Sequence, residues 1–258
     1  MKRKILFLHY SMPIGGAEAV LINYLNIAAL HPDYQVELAL LEPSEQYNMD
    51  KIDPKVKVHF ILSEAESQFL RYNHWKVKDN SGDEVAYHKG WLDHLVESRR
   101  ERLTKLIDEQ QYDVVIDFHN CIVCHLGKEF ISSINRPYIY WIHANSDFDL
   151  WKEKLDLCKP ILNKCNVFVS ICKDMEITCQ KVLREDFNLS GKTVKIIFNP
   201  IDINRIIRTY DNYLEEDNEL FNQPFILQVA RLNEEQKNHT KLIELYAKLK
   251  AKGIKEKL

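Results

Sequence analysis

The residues best suited to chemistry lie in short groups spread along the chain. Gly15 and Gly16 stand in Ser11-Met-Pro-Ile-Gly-Gly-Ala-Glu18, between an apolar run and a helical pattern, in a chain with only 7 glycines among 258 residues. Paired glycines at such a place let backbone approach a ligand closely, and a helix N-terminus offers free N–H groups and partial positive charge to an anion. The plainer reading is a tight strand-to-helix turn that binds nothing. Glu18 reads as a complement to the helix dipole. Tyr140-Trp-Ile-His143 closes another apolar run on a histidine, and Ile197-Phe-Asn-Pro-Ile-Asp202 places Asn199 at a turn. Val229-Ala-Arg231-Leu-Asn-Glu-Glu-Gln-Lys237-Asn238 sets an arginine ahead of a lysine. Arg231 supplies a planar fork suited to diphosphate oxygens and Lys237 a point charge; both could equally be solvated side chains at a helix start.

Other motifs point to chemistry that the context does not support. Cys121-Ile-Val-Cys124-His125 spells the pattern of covalent haem attachment, but it follows a strand without any export signal. His119, Cys121, Cys124 and His125 would crowd four zinc ligands into seven residues, whereas structural sites draw a second pair from a distant segment. No metal is expected. A dinucleotide fingerprint G-x-G-x-x-G is absent, although Glu42 ends the second strand where such a fold keeps its ribose-binding acid.

The elements that must position these groups alternate. Apolar runs at 5–9, 35–41, 56–62, 113–118, 138–142, 167–171 and 194–198 read as strands covered on both faces. Helical patterns fall at 17–30, 98–110, 147–164, 173–186 and 239–252. This order predicts an α/β, Rossmann-like parallel sheet with helices on both faces. The stretch 64–91 carries turn signals and reads as a loop insertion. The acidic 209–224 reads as a linker between a domain at 1–208 and a new strand-helix unit at 225–258, its strand at 225–232. Hydrophobic residues make up 45% and charged residues 28%, which excludes a disordered or collagen-like chain. With 35 Lys and Arg against 38 Asp and Glu, a general nucleic-acid binder is not expected. The first apolar run breaks at His9 and Tyr10, short of a signal-peptide core, so the expected location is the cytoplasm, with the six cysteines reduced.

Taken in order, four of these motifs resemble the retaining GT-B glycosyltransferases of family 4: the Gly15-Gly16-Ala17-Glu18 loop, the strand delivering His143, the turn at Asn199 and Asp202, and the segment from Arg231 to Asn238. Ala230 and Pro200 stand where the family has glycine. The resemblance implies sugar transfer, with retention, from a nucleotide-diphosphate sugar to a saccharide or lipid-linked acceptor in surface polysaccharide synthesis. It implies no cofactor beyond that donor. It implies that His143 faces the sugar as the catalytic residue and that Gly15, Gly16, Asn199, Arg231 and Lys237 bind the donor. Asn199 and Asp202 would also shape the crossover. In the front-face scheme of such enzymes, the acceptor hydroxyl attacks on the side from which the diphosphate leaves, and the leaving phosphate takes its proton. Against the family's length, the chain corresponds to an acceptor-side domain plus the first strand and helix of the donor side.

The basic patch Arg99, Arg100, Arg102 and Lys105 is a candidate surface for peripheral contact with the inner face of the cell membrane. Two other classes stay open: an inactive fragment serving as a binding module, and a nucleotide-cofactor oxidoreductase.

Overall fold

The computed structural model describes residues 2–43, 47–79, 83–210 and 224–258. Contacts divide the chain into two compact units, Met1–Ile201 and Asp202–Leu258. The expected linker at 209–224 lies almost wholly outside the described residues.

The first unit is built on seven parallel strands: β1 (Arg3–His9), β2 (Tyr34–Leu40), β3 (Lys57–Phe60), β4 (Val114–Asp117), β5 (Tyr138–Trp141), β6 (Val167–Ser170) and β7 (Thr193–Ile196). Their order is β3-β2-β1-β4-β5-β6-β7. All seven expected strands are present. Side chains alternate across a strand, so Leu6 and Leu8 of β1 enter one core and Phe7 the other. The first core is closed by α3 (Asp83–Gln110), α4 (Gly127–Ser133), α6 (Leu155–Lys164) and α7 (Lys173–Glu185), through residues such as Leu103, Phe130, Ile161 and Val182. The second core is closed mainly by α1 (Gly16–Leu30), through Leu21 and Leu25. Helices on both faces explain why the strands read as unbroken apolar runs. The Rossmann-like α/β expectation is therefore met.

Three local expectations fail. The described residues of 64–91 are helical, in α2 (Glu64–Asp79) and the front of α3. Its start was encoded as a capping box: the Ser63 amide donates to Glu66 Oε2 at 2.8 Å, and the Glu66 amide donates to Ser63 Oγ at 3.3 Å. The single helix expected at 147–164 is two, α5 (Ser146–Glu153) and α6, parted at Lys154, whose φ of −115° and ψ of 44° leave helical space. The break lets Trp151 and the Cys158, Ile161 and Leu162 face each reach the core.

In the second unit, the strand expected at 225–232 does not form. Phe225 makes one isolated parallel bridge to Lys257, and the segment then runs irregularly into α9 (Glu234–Lys237) and α10 (His239–Ala251), which follow α8 (Ile203–Tyr210). A β-rich run becomes a strand only beside a partner strand, and one bridge is not a sheet. We therefore expect the amides of 227–232 to exchange with deuterium at least a hundredfold faster than those of β1 and β2; comparable protection would show a sheet there.

Candidate functional site

In an open parallel sheet, ligands bind outside the carboxyl ends of the strands where the winding reverses. Here the winding reverses between β1 and β4. Three histidines stand at that edge: His9 ending β1, His119 two residues beyond β4 and His143 two residues beyond β5. The His9 and His119 rings lie 5.2 Å apart between centroids, and those of His119 and His143 6.1 Å apart. Phe118, fully buried, packs beneath them at 6.2 Å from His9 and 4.5 Å from His143.

Glu18, on the first turn of α1, completes the group. His9 Nε2 and Glu18 Oε1 are 3.2 Å apart, and both side chains are buried. Burial pushes the His9 pKa down, outweighing the pull of Glu18 in the other direction. Burial also pushes Glu18 up, but the His9 bond and its own backbone amide win and hold it below the usual carboxylate range. The pair is thus a neutral imidazole donating from Nε2 to a carboxylate, which leaves Nδ1 of His9 as a bare lone pair. Gly15 lies against the second carboxylate oxygen of this pair. Its extended backbone suits any residue, but a Cβ there would meet Glu18 Oε2 at 2.1 Å. Gly16 is exposed, and nothing lies within 4 Å of where its Cβ would be.

Two aspartates hold the edge in shape. Asp117, fully buried, accepts from the amides of Cys121 at 2.7 Å and Ile122 at 2.9 Å, fixing the turn after β4. Asp147 accepts from the His143 amide at 3.0 Å and from Asn120 Nδ2 at 2.7 Å, tying the loops after β4 and β5 together. Burial depresses His143 to a pKa of about 4, and His119 adds to the effect.

Among the described residues, five buried side-chain polar atoms have no hydrogen-bond partner: His9 Nδ1, Asn120 Oδ1, Trp141 Nε1, His143 Nε2 and Arg99 Nε. Buried polar groups are nearly always satisfied. Four of these five sit at the carboxyl ends of β1, β4 and β5.

The remaining expected site residues fall elsewhere. Asn199 is exposed on the segment leaving β7, which is tied to α1 by Tyr24 Oη donating to the Phe198 carbonyl at 2.7 Å and Asn23 Nδ2 donating to the Pro200 carbonyl at 2.9 Å. Arg231 and Lys237 are exposed in the second unit, where the Arg231 carbonyl bonds His239 Nε2 at 2.8 Å. Glu42, the possible ribose acid, is 1% exposed, ion-paired with Arg99 and bonded by Ser67 Oγ at 3.2 Å. The basic patch is largely neutralised: Arg100 pairs with Glu97 and Glu129, Arg102 with Glu66 at 2.7 Å, and Lys105 with Glu109 at 3.7 Å. Cys121 is buried and Cys124 exposed, and all six cysteines are free thiols. Among the described residues, His9, Glu18 and His119 form the one metal-ligand type of cluster, their ligand atoms lying within 4.8 Å of one another. Glu18, which the sequence marks only as a complement to the helix dipole, here orients His9, a residue outside every motif. The available signal was a histidine at a strand end, nine positions before a glutamate across the glycine turn.

No protein-family model matches this sequence, and neither does any curated protein. Among solved structures, a UDP-glucosyltransferase from Polygonum tinctorium capable of glucosylating indoxyl aligns over 87% of this chain and 58% of its own, with a TM-score of 0.52 and 9% identity. UGT2 of Phytolacca americana, complexed with UDP-2fluoro-glucose and pterostilbene, covers 82% and 57% at a TM-score of 0.47 and 13% identity. HepE of Anabaena, in complex with UDP and glucose, covers 81% and 50% at a TM-score of 0.39 and 17% identity. The chain thus spans 50 to 58% of the length of these three proteins. With the Polygonum enzyme it shares the fold.

His125 is depressed to about 3, chiefly by burial, and His143 to about 4. Below pH 6.5 the unfolded chain takes up protons that these folded histidines refuse, so stability must fall as pH drops from 7 toward 4, by about 1 to 2 kcal/mol for each at pH 5. Urea midpoints across this range check it; a flat profile would contradict the burial. Gly15→Ala should fold but push Glu18 off His9, seen as a shift of the His9 ring nitrogens by NMR; unchanged resonances would show that the pair tolerates a side chain there.

Proposed function

We propose that this chain carries the acceptor-side lobe of a GT-B glycosyltransferase, transferring a sugar from a nucleotide-diphosphate donor to a saccharide or lipid-linked acceptor in surface polysaccharide synthesis. One observation carries the reading. Four buried, partnerless polar atoms lie at the carboxyl ends of β1, β4 and β5, beside the strand-order reversal, and a bound sugar's hydroxyls would offset the cost of leaving them unpaired. The fold shared with a UDP-glucosyltransferase supports it.

In this reading His143 Nε2 faces the donor sugar. Gly16 lies along the donor's phosphates, and Gly15 keeps the space in which Glu18 reaches His9. Arg231 and Lys237 bind the diphosphate, with Asn199 at the crossover. Negative charge growing on the leaving oxygen is stabilised by those fixed cations, each contact contributing roughly 1.5 to 3 kcal/mol. Transfer proceeds with retention: the acceptor hydroxyl attacks from the face the diphosphate leaves, and the departing phosphate takes its proton. No resident cofactor or metal takes part. Contact with the inner face of the cell membrane would come through a lipid-linked acceptor, since the cations at 99–105 are already paired.

The His9–Glu18 pair favours a second stereochemistry. A neutral imidazole oriented by a carboxylate is the arrangement of a general base, and His9 Nδ1 could take the acceptor's proton for direct displacement with inversion.

The test is transfer from a panel of nucleotide-diphosphate sugars, with the product's anomeric configuration read by NMR. His143→Ala and Arg231→Ala should each lower turnover at least tenfold, and the product should keep the donor's configuration. Wild-type rates in both variants would refute the assigned roles, and an inverted product would transfer the mechanism to His9.

A further inference from the structure

A cavity of about 500 Å³ is lined by Tyr10, the residue that follows His9. It follows from strand geometry. Consecutive side chains leave a strand on opposite faces, so where His9 continues the α1 side, Tyr10 continues the side of Leu8 and packs against the other core. Tyr10 and Glu42 form the floor, Cys124 and His125 come from the turn after β4, and α2 and α3 supply Leu70, Arg71, Val96 and Arg99.

The polar groups here are arranged rather than scattered. The His125 ring stacks on Tyr10 at 4.0 Å and 15°, and the Arg99 guanidinium lies 5.9 Å from the same ring's centroid. Arg99 is 4% exposed, yet only part of its fork is used: one Nη bonds Glu42, while Nε is the fifth of the buried atoms without a partner. Arg71 also lines the cavity, its side chain about half exposed and only loosely held by Glu64 at 3.8 Å. Two guanidinium groups therefore face this space against one carboxylate, in a wall otherwise aromatic and aliphatic. Keeping a partly unsatisfied arginine buried is costly, and the complement of its planar fork is an oxyanion.

We propose that this cavity is a recognition site for an oxyanion, a phosphate or carboxylate group, borne by the acceptor and held by Arg99 and Arg71. The word acceptor rests on the transferase reading; the oxyanion site does not. The acceptor is then an anionic saccharide whose charged group docks on the Tyr10 side of β1 while its reacting hydroxyl reaches the His9 side.

Calorimetric titration of the chain with glucose 6-phosphate, glucuronate, glucose and inorganic phosphate tests this. The two sugar anions should bind at least tenfold tighter than glucose, and tighter than inorganic phosphate. Arg71→Gln, at a half-exposed position that leaves the fold intact, should weaken the sugar anions at least fivefold. Arg99→Lys, which keeps a positive charge for Glu42, should do the same. Arg102→Gln, outside the cavity, should leave their binding unchanged. The proposal fails if glucose binds equally well, or if Arg102→Gln weakens the sugar anions as much as Arg71→Gln does; inorganic phosphate binding as tightly as the sugar anions and weakened by Arg71→Gln would uphold the oxyanion site and overturn its saccharide ligand. Sugar-anion binding of the expected pattern in a protein that transfers no sugar would uphold the site and count against the transferase reading instead.

Discussion

Seven strands running the same way impose the constraint from which the rest follows. Each crossover must bring the chain back to the amino end of the sheet, so helices cover both faces and every strand's carboxyl end opens on one edge. At β1 the winding reverses: β2 lies on one side and β4, from a much later part of the chain, on the other. Loops after β1, β4 and β5 there diverge, and the edge between them is where polar side chains can be gathered without disturbing either core. His9, Glu18, His119, Asn120 and His143 occupy it.

The polar atoms of this edge are paired differently from those of the cores. Among the described residues, most buried polar groups elsewhere are satisfied: Glu37 accepts from Tyr112 Oη and bonds His59 Nε2, each at 2.6 Å, and Trp151 Nε1 donates to Tyr140 Oη at 3.0 Å. Four of the five exceptions lie at the carboxyl ends of β1, β4 and β5. Among the described residues, imidazole, amide and indole atoms are left unpaired along one edge and a guanidinium nitrogen on α3, a cost that a polar ligand could offset.

The sheet was legible in the sequence because strands buried on both faces carry an unmistakable apolar signature, and all seven appear where the runs stood. What misled was local chemistry read without partners. The turn-like Asn73-His74-Trp75 hid the helix that Ser63 and Glu66 start through their capping box, and the β-rich run at 225–232 found no neighbouring strand to pair with. The site was legible residue by residue only in part. His143 could be noticed because it ends an apolar run. His9 and Glu18 could not be joined to it, since what brings residues 9, 119 and 143 together is the adjacency of β1, β4 and β5, a property of strand order that no short motif spells. Gly15 was noticed as a ligand loop, but its nearest neighbour is the carboxylate that orients His9.

The most direct test is a crystal structure of the chain with a nucleotide-diphosphate glucose bound. The account places the glucose at the carboxyl ends of β1, β4 and β5, with a hydroxyl about 3 Å from His143 Nε2. Glucose seated away from that edge, with His143 Nε2 and His9 Nδ1 still unpaired, would contradict it.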